Sequence, residues 1–337
     1  MPSCLHITNG DVARNLLRRS GLGGDVLAWR DTMFEGPFPA GLTLQATSAV
    51  RAAYLAGTGL PEERILKDFQ RRDETLRKAP AYDAVTLWFE HDLLDQLQLL
   101  QILDWFAAVR GPADLGLICI DAFPGIDPFC GLGRLDPKQM ASLAQQRQPV
   151  TAAHLRLAKA GWAAFRAPDP RTIEDFLAGD LTLLPFLRAA LMRHLEEFPS
   201  VAEGLGRTHR QLLRLVADGV DRPDALFAAN AACETVLDMG DWSTFRRLGE
   251  LCRLPEPLLA CAPYRQFRWP PQSDIPLPDF RAQAFSLTAK GRRVLAGEAA
   301  GDALRGFDYW LGGVHFANGA AVWRWNAAAG RLQRGSR

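Results

Sequence analysis

A chain of 337 residues, 48% hydrophobic and 23% charged, has the make-up of a globular protein with room for more than one core. Its formal net charge of +1 excludes a surface made generally for coating nucleic acid or hugging a membrane. No apolar run reaches the roughly 18 residues of a membrane-spanning helix, and the first residues lack the basic and apolar regions of a signal peptide.

In chain order, residues 5–8 read as a strand that stops at Asn9-Gly10-Asp11 and feeds a helix through Leu16 and Leu17. Residues 25–29 are a second strand, ending in Arg30-Asp31. A loop, 32–41, carries Glu35-Gly36-Pro37, and helices are expected over about 43–56 and 61–78. The central feature is Ala84-Val85-Thr86-Leu87-Trp88-Phe89, an apolar run that ends in Glu90-His91-Asp92 and passes directly into an amphipathic helix, 93–106. Residues 115–120 form a fourth strand, ending in Asp121. Strands alternating with helices predict an α/β fold with a Rossmann-like, mostly parallel sheet over 1–148. If the strands are parallel, all four polar sets lie on the edge where such sheets bind ligands.

The pattern turns helical over 149–200, where helices are expected from Thr151, from Asp169-Pro170 and over 181–198. The last carries His194 on an apolar stripe and is read as structural. Residues 201–300 have winged-helix-like spacing. Helices are expected over 208–218, 221–231 and 241–252, with Ser243, Arg246, Arg247 and Glu250 facing outward from the third. A Pro-rich wing over 263–278 and a closing helix with Lys290, Arg292 and Arg293 complete this part. In 301–337, Asn318-Gly319 is a strong two-residue turn signal and predicts a C-terminal β-hairpin between 312–317 and 320–325, docked by default on the winged-helix core and otherwise on the rim of the α/β cleft. The six cysteines form no Cys-x-x-Cys pair, which argues for a reduced, cytoplasmic protein.

The motifs Leu5-His6-Ile7-Thr8-Asn9-Gly10-Asp11, Trp29-Arg30-Asp31 with Glu35-Gly36-Pro37, and Trp88-Phe89-Glu90-His91-Asp92 resemble the bacterial family called domain of unknown function 1835. The resemblance covers about residues 1–150, and the later segments resemble the usual companions of that domain. It implies no particular reaction. Many members place a serine after the Gly-Asp/Glu turn, where this chain has Val12.

Asp11 and Asp92 each precede a helix, so N-capping is one sufficient reason for them. Glu90 at a buried strand end needs a partner, and Arg30 is the candidate. Three readings follow. The first is a ligand-binding or metal-dependent enzyme domain, such as a hydrolase, acting on a small phosphorylated or nucleotide-like molecule. It assigns His91, Glu90 and Asp11 to the chemistry, and Asn9, Arg30, Asp31, Glu35, Asp92 and Asp121 to ligand contacts. Asp11 and Glu90 would hold Mg²⁺ or Mn²⁺, since hard cations favour oxygen ligands. The second is a ligand-responsive regulator that binds DNA through Arg246, Arg247, Lys290, Arg292 and Arg293, although the charge of that region is nearly balanced. The third is an interaction adaptor without chemistry. None of the three involves a membrane.

Overall fold

The computed structural model describes residues 3–109, 111–112, 114–269, 274–298, 308–317 and 323–335. The first part of the chain runs β1 (Cys4–Thr8), α1 (Asp11–Arg19), β2 (Asp25–Ala28), β3 (Gly36–Pro37), α2 (Leu44–Leu55), α3 (Glu62–Lys78), β4 (Ala84–Glu90), α4 (Leu93–Ala108), β5 (Asp114–Ile120), α5 (Pro137–Ser142) and β6 (Gln148–Pro149). The main sheet has the order β2-β1-β4-β5-β6, parallel except for β6. A parallel strand is covered on both faces and can be apolar throughout. That is why β4 is central: Val85, Leu87 and Phe89 enter one core with α4, and Trp88 enters another with Ala13 and Leu17 of α1.

The order puts β2 on one side of β1 and β4 on the other. Chain direction therefore reverses between β1 and β4, and α1 and α4 leave their strands onto opposite faces. A crevice opens where such a reversal occurs, at the carboxyl ends of the strands. Asn9 follows β1 and Glu90 ends β4, so both stand at it.

Next come α6 (Ala152–Arg166), α7 (Arg171–Leu177) and α8 (Leu187–Leu195). The helix expected over 181–198 is shorter at both ends. Residues 182–186 form turns, in which Asp180 accepts hydrogen bonds from the Thr182 amide and hydroxyl. Pro185, with no N–H to give, suits a turn better than a helix interior. His194 lies fully buried between Phe165 and Phe198, and burial lowers its pKa to about 4.

A separate apolar core gathers α9 (Arg207–Ala217), α10 (Pro223–Ala232), α11 (Asp241–Arg253), β7 (Leu259–Ala262), α12 (Leu277–Ala282), β8 (Ala284–Leu287) and α13 (Ala289–Leu295). Strands β7 and β8 form a two-stranded antiparallel ribbon.

The tail carries β9 (Tyr309–Gly312), β10 (Val314–Phe316), β11 (Trp323–Asn326) and β12 (Arg331–Arg334). Its antiparallel hairpins differ from the one expected. The Asn318-Gly319 turn lies outside the described residues, while β10 pairs with β9 and β11 with β12. The tight corner is Gly312-Gly313, and its surroundings explain the choice. Gly312 has φ +58°, and a Cβ on Gly313 would fall 1.9 Å from the Arg166 carbonyl oxygen. The docking surface is not the default one, the winged-helix core, but lies on the α/β part. β9 extends the loop strand β3 in parallel, and Leu311, Val314, Phe316, Trp325 and Leu332 enter the core that holds α4, α6 and α8.

Candidate functional site

The carboxyl ends of β1, β2, β4 and β5 share one edge, so the polar sets that follow them do lie on the same side of the sheet. Their side chains nevertheless divide into three groups.

The first is a buried carboxyl cluster at the crevice. Asn9 Nδ2 donates to Glu90 Oε1 at 2.6 Å and to Asp95 Oδ2 at 2.9 Å. The Leu132 amide donates to Glu90 Oε2 at 2.7 Å, and the Glu90 amide to Asp95 Oδ1 at 2.9 Å. Asp92 caps α4, its Oδ1 accepting from the Asp95 amide. Burial and mutual repulsion act together on these acids. Burial first, then the Asp92 charge, pushes Glu90 up to about 8, while burial raises Asp92 to about 6 and lifts Asp95 well above the carboxylate range. Glu90 therefore holds its proton near neutrality, as a group suited to acid–base work does.

Two segments cover the cluster. The turn 131–134 lies on Glu90, and Gly131 is required there: its φ is +106°, and a Cβ would sit 2.2 Å from Glu90 Oε2. The segment 235–238 is stitched down by the Leu93 amide to the Val236 carbonyl and by His91 Nε2 to the Thr235 carbonyl. His91 thus packs between Phe129 and Phe186 and ties down a loop, with its buried Nδ1 left without a partner. Gly131→Ala should destabilise the protein by about 1–3 kcal/mol through strain at a left-handed position. Urea unfolding measures this, and an unchanged midpoint would contradict the close fit.

The second group is at the surface. Arg30 holds Asp11 bidentately at 2.6 and 2.7 Å, so its partner is Asp11 and not Glu90. Asp11 is the first helical residue and Gly10 occupies the cap, so Asp11 is not the N-cap expected. Its carboxyl is pulled below the usual range by Arg30. Asp121 stands exposed after β5.

The third group is buried in the interior. Arg51, fully buried, binds Asp31 through Nε and Nη2 and the carbonyls of Glu35 and Thr32. Ser243 donates to Glu35 Oε1 at 3.0 Å, and Arg246 and Arg247 lie 3.7 and 3.9 Å from Oε2. This overturns the outward face expected of α11. Ser243, Arg247 and Glu250 are buried, and both arginines are paired with Glu250. A guanidinium so engaged is not offered to phosphate. Lys290 pairs with Glu256, Arg292 donates to the Leu287 carbonyl, and Arg293 is exposed.

The pairing of Asp11 and Glu90 as metal ligands is likewise not supported, since one is held by Arg30 and the other by Asn9 and Leu132. Among the described residues no group of three or more His, Cys, Asp or Glu is arranged to hold a metal ion. His6 is also structural, accepting from Trp88 Nε1 while its Nε2 meets the Gly23 carbonyl.

The sequence reading underused Asp95 and missed the Leu132 amide and Asp238, whose charge helps to raise Glu90. Gly131-Leu132-Gly133 was a visible signal for the turn, whereas nothing local marks Asp238. Among the described helices none is long and apolar enough to cross a membrane. Neither the protein-family models nor the curated proteins give a match to this chain.

Proposed function

We propose that the protein binds a small phosphorylated or nucleotide-like molecule over the crevice between β1 and β4, with Glu90 exchanging a proton there. The observation that carries this reading is the buried Glu90 carboxyl, held by Asn9 and the Leu132 amide beside Asp92 and Asp95, at the reversal point of a parallel sheet, where burial raises its pKa. The start of α1 supports an anion beside it. Gly10 supplies no side chain to the first-turn amides, and Arg14 and Arg30 stand at that turn holding Asp11 at the surface, where, unlike in the buried network of α11, a phosphate can compete with that carboxylate for them. Helix starts of this kind attract phosphate. Access to Glu90 itself requires the 131–134 turn to shift. A divalent cation has no place in the proposal, because the expected ligands are already engaged.

Calorimetric titration with inorganic phosphate, AMP and ATP tests the reading. Binding by at least one of them, weakened in Arg30→Gln, is expected. No binding, or equal binding by the variant, would overturn it.

The proton on Glu90 has a consequence for stability. The folded chain keeps a proton that the unfolded chain releases between pH 4.5 and about 8. Stability therefore falls as pH rises through that window, and below it Glu90 contributes nothing. Glu90→Gln should flatten the fall. Urea midpoints below, within and above the window measure it, and a slope equal to that of the parent would remove Glu90 from the explanation.

A further inference from the structure

The part of the chain built on the second core carries a basic track beside β7. From Arg253, at the end of α11, to Trp269 the sequence holds three arginines and a single acid, Glu256. Arg253, Arg265 and Arg268 are all exposed. Among the described residues no carboxylate forms an ion pair with them, and Glu256 is itself held by Lys290 at 2.7 Å.

Aromatic rings hold two of the three instead. The Arg253 guanidinium lies 5.3 Å from the centre of the Trp269 ring, and that of Arg268 lies 4.6 Å from Tyr264. A ring face orients a guanidinium without cancelling its charge, and it leaves the N–H edge for an acceptor. The support beneath is fixed. Trp269 is buried and stacked on Phe267. Gln283, fully buried, accepts from the Arg268 amide and donates to the Arg268 carbonyl, which pins the segment at that residue.

The three arginines and Tyr264 line a pocket of about 310 Å³ that has no acid in its walls. A second pocket, of about 590 Å³, shares Tyr264 and Arg265 with it and so adjoins it. Ala260 and Ala262, the outward residues of β7, join Pro257 and Pro263 to give this one an apolar wall. Positive charge in one pocket and an apolar wall in the next match the phosphates and bases of a nucleotide chain. Glu35 covers the outer face of α11, so that helix is not free to enter a duplex groove.

We propose that this track binds single-stranded nucleic acid, with phosphates at Arg253, Arg265 and Arg268 and a base against β7. Neither Arg14 nor Arg30 lines either pocket, so the proposal is independent of the crevice and its ligand.

Fluorescence anisotropy of a labelled oligothymidylate with the full chain, over a range of salt concentrations, tests it. Binding is expected at low salt and should weaken as salt rises. Each phosphate contact adds about 0.7 to the slope of log affinity against log salt, so Arg253→Gln, Arg265→Gln and Arg268→Gln together should lower that slope by about 2. The three side chains are exposed, and the melting temperature of the triple variant should match that of the parent. Ala260→Glu, on the outward face of β7, should weaken binding with the arginines intact. Absence of binding, or an unchanged slope in the triple variant, would refute the track. Full binding by Ala260→Glu would overturn the place given to the base. A duplex bound more tightly would overturn the single-stranded class, and displacement by AMP at equal phosphate concentration would make a free nucleotide the ligand. Arg30→Gln should leave strand binding unchanged, and a loss there would overturn the assignment to this track.

Discussion

Arg51→Ala is expected to cost about 3–5 kcal/mol of stability, because it leaves the carboxylate of Asp31 buried without its cation. The side chains of the pair are 0% and 1% exposed, so water cannot take the lost partner's place. The same guanidinium also holds the Glu35 and Thr32 carbonyls and lies over Phe38 at 4.3 Å. The substitution therefore loosens the whole loop that carries β3. Replacing both members, as Arg51→Met with Asp31→Leu, should recover much of the loss, since an apolar pair of similar volume carries no desolvation cost. Guanidinium unfolding of the single and double variants measures the difference. A cost below about 1 kcal/mol for Arg51→Ala, the range of a surface ion pair, would show that the pair is not buried as described.

Deleting residues 308–337 should leave no cooperatively folding protein. Leu311, Val314, Phe316, Trp325 and Leu332 are each less than a tenth exposed and belong to the core of the α/β part. At about 1.5–3 kcal/mol for each large side chain, their removal costs as much as the whole stability of an ordinary domain, about 5–15 kcal/mol. The deletion also uncovers β3 and the main chain around Phe38, whose amide donates to the Gly312 carbonyl. Soluble yield and the shape of the thermal transition measure the effect. A truncated protein that melts sharply near the parent temperature would show the tail to be dispensable.

The strands of the main sheet were legible because β4 and β5 are continuous apolar runs with abrupt polar ends, and the period and the stop are both local signals. The edge of the sheet was legible for the same reason. What could not be read was which acid meets which base. Arg30 was expected to meet Glu90, and only the fold decides that it turns outward to Asp11 while Arg51, on α2, takes Asp31. The amphipathic spacing of α11 predicted its buried apolar face well: Phe245, Leu248 and Leu251 are inside. It gave no warning that the opposite face is also covered, because the cover comes from Glu35, 208 residues earlier. A C-terminal hairpin was legible in the tail, but the pairing of β9 with β10 was not. Its corner, Gly312-Gly313, is set by the close fit against the end of α6, where no side chain could stand, and that fit is not a local signal.

The pairing of β3 with β9 sets a timetable for biosynthesis. Gly36 meets Leu311, so the second partner leaves the ribosome 275 residues after the first. At about 5–20 residues per second, the loop strand waits more than ten seconds with an open edge, and the core above it lacks Phe316 and Trp325 all that time. The amino-terminal sheet can form early from its own neighbouring strands, but it is sealed only once β9 has been made. Until then the nascent chain presents an unpaired strand beside uncovered apolar side chains, the condition under which chains associate wrongly and chaperones bind.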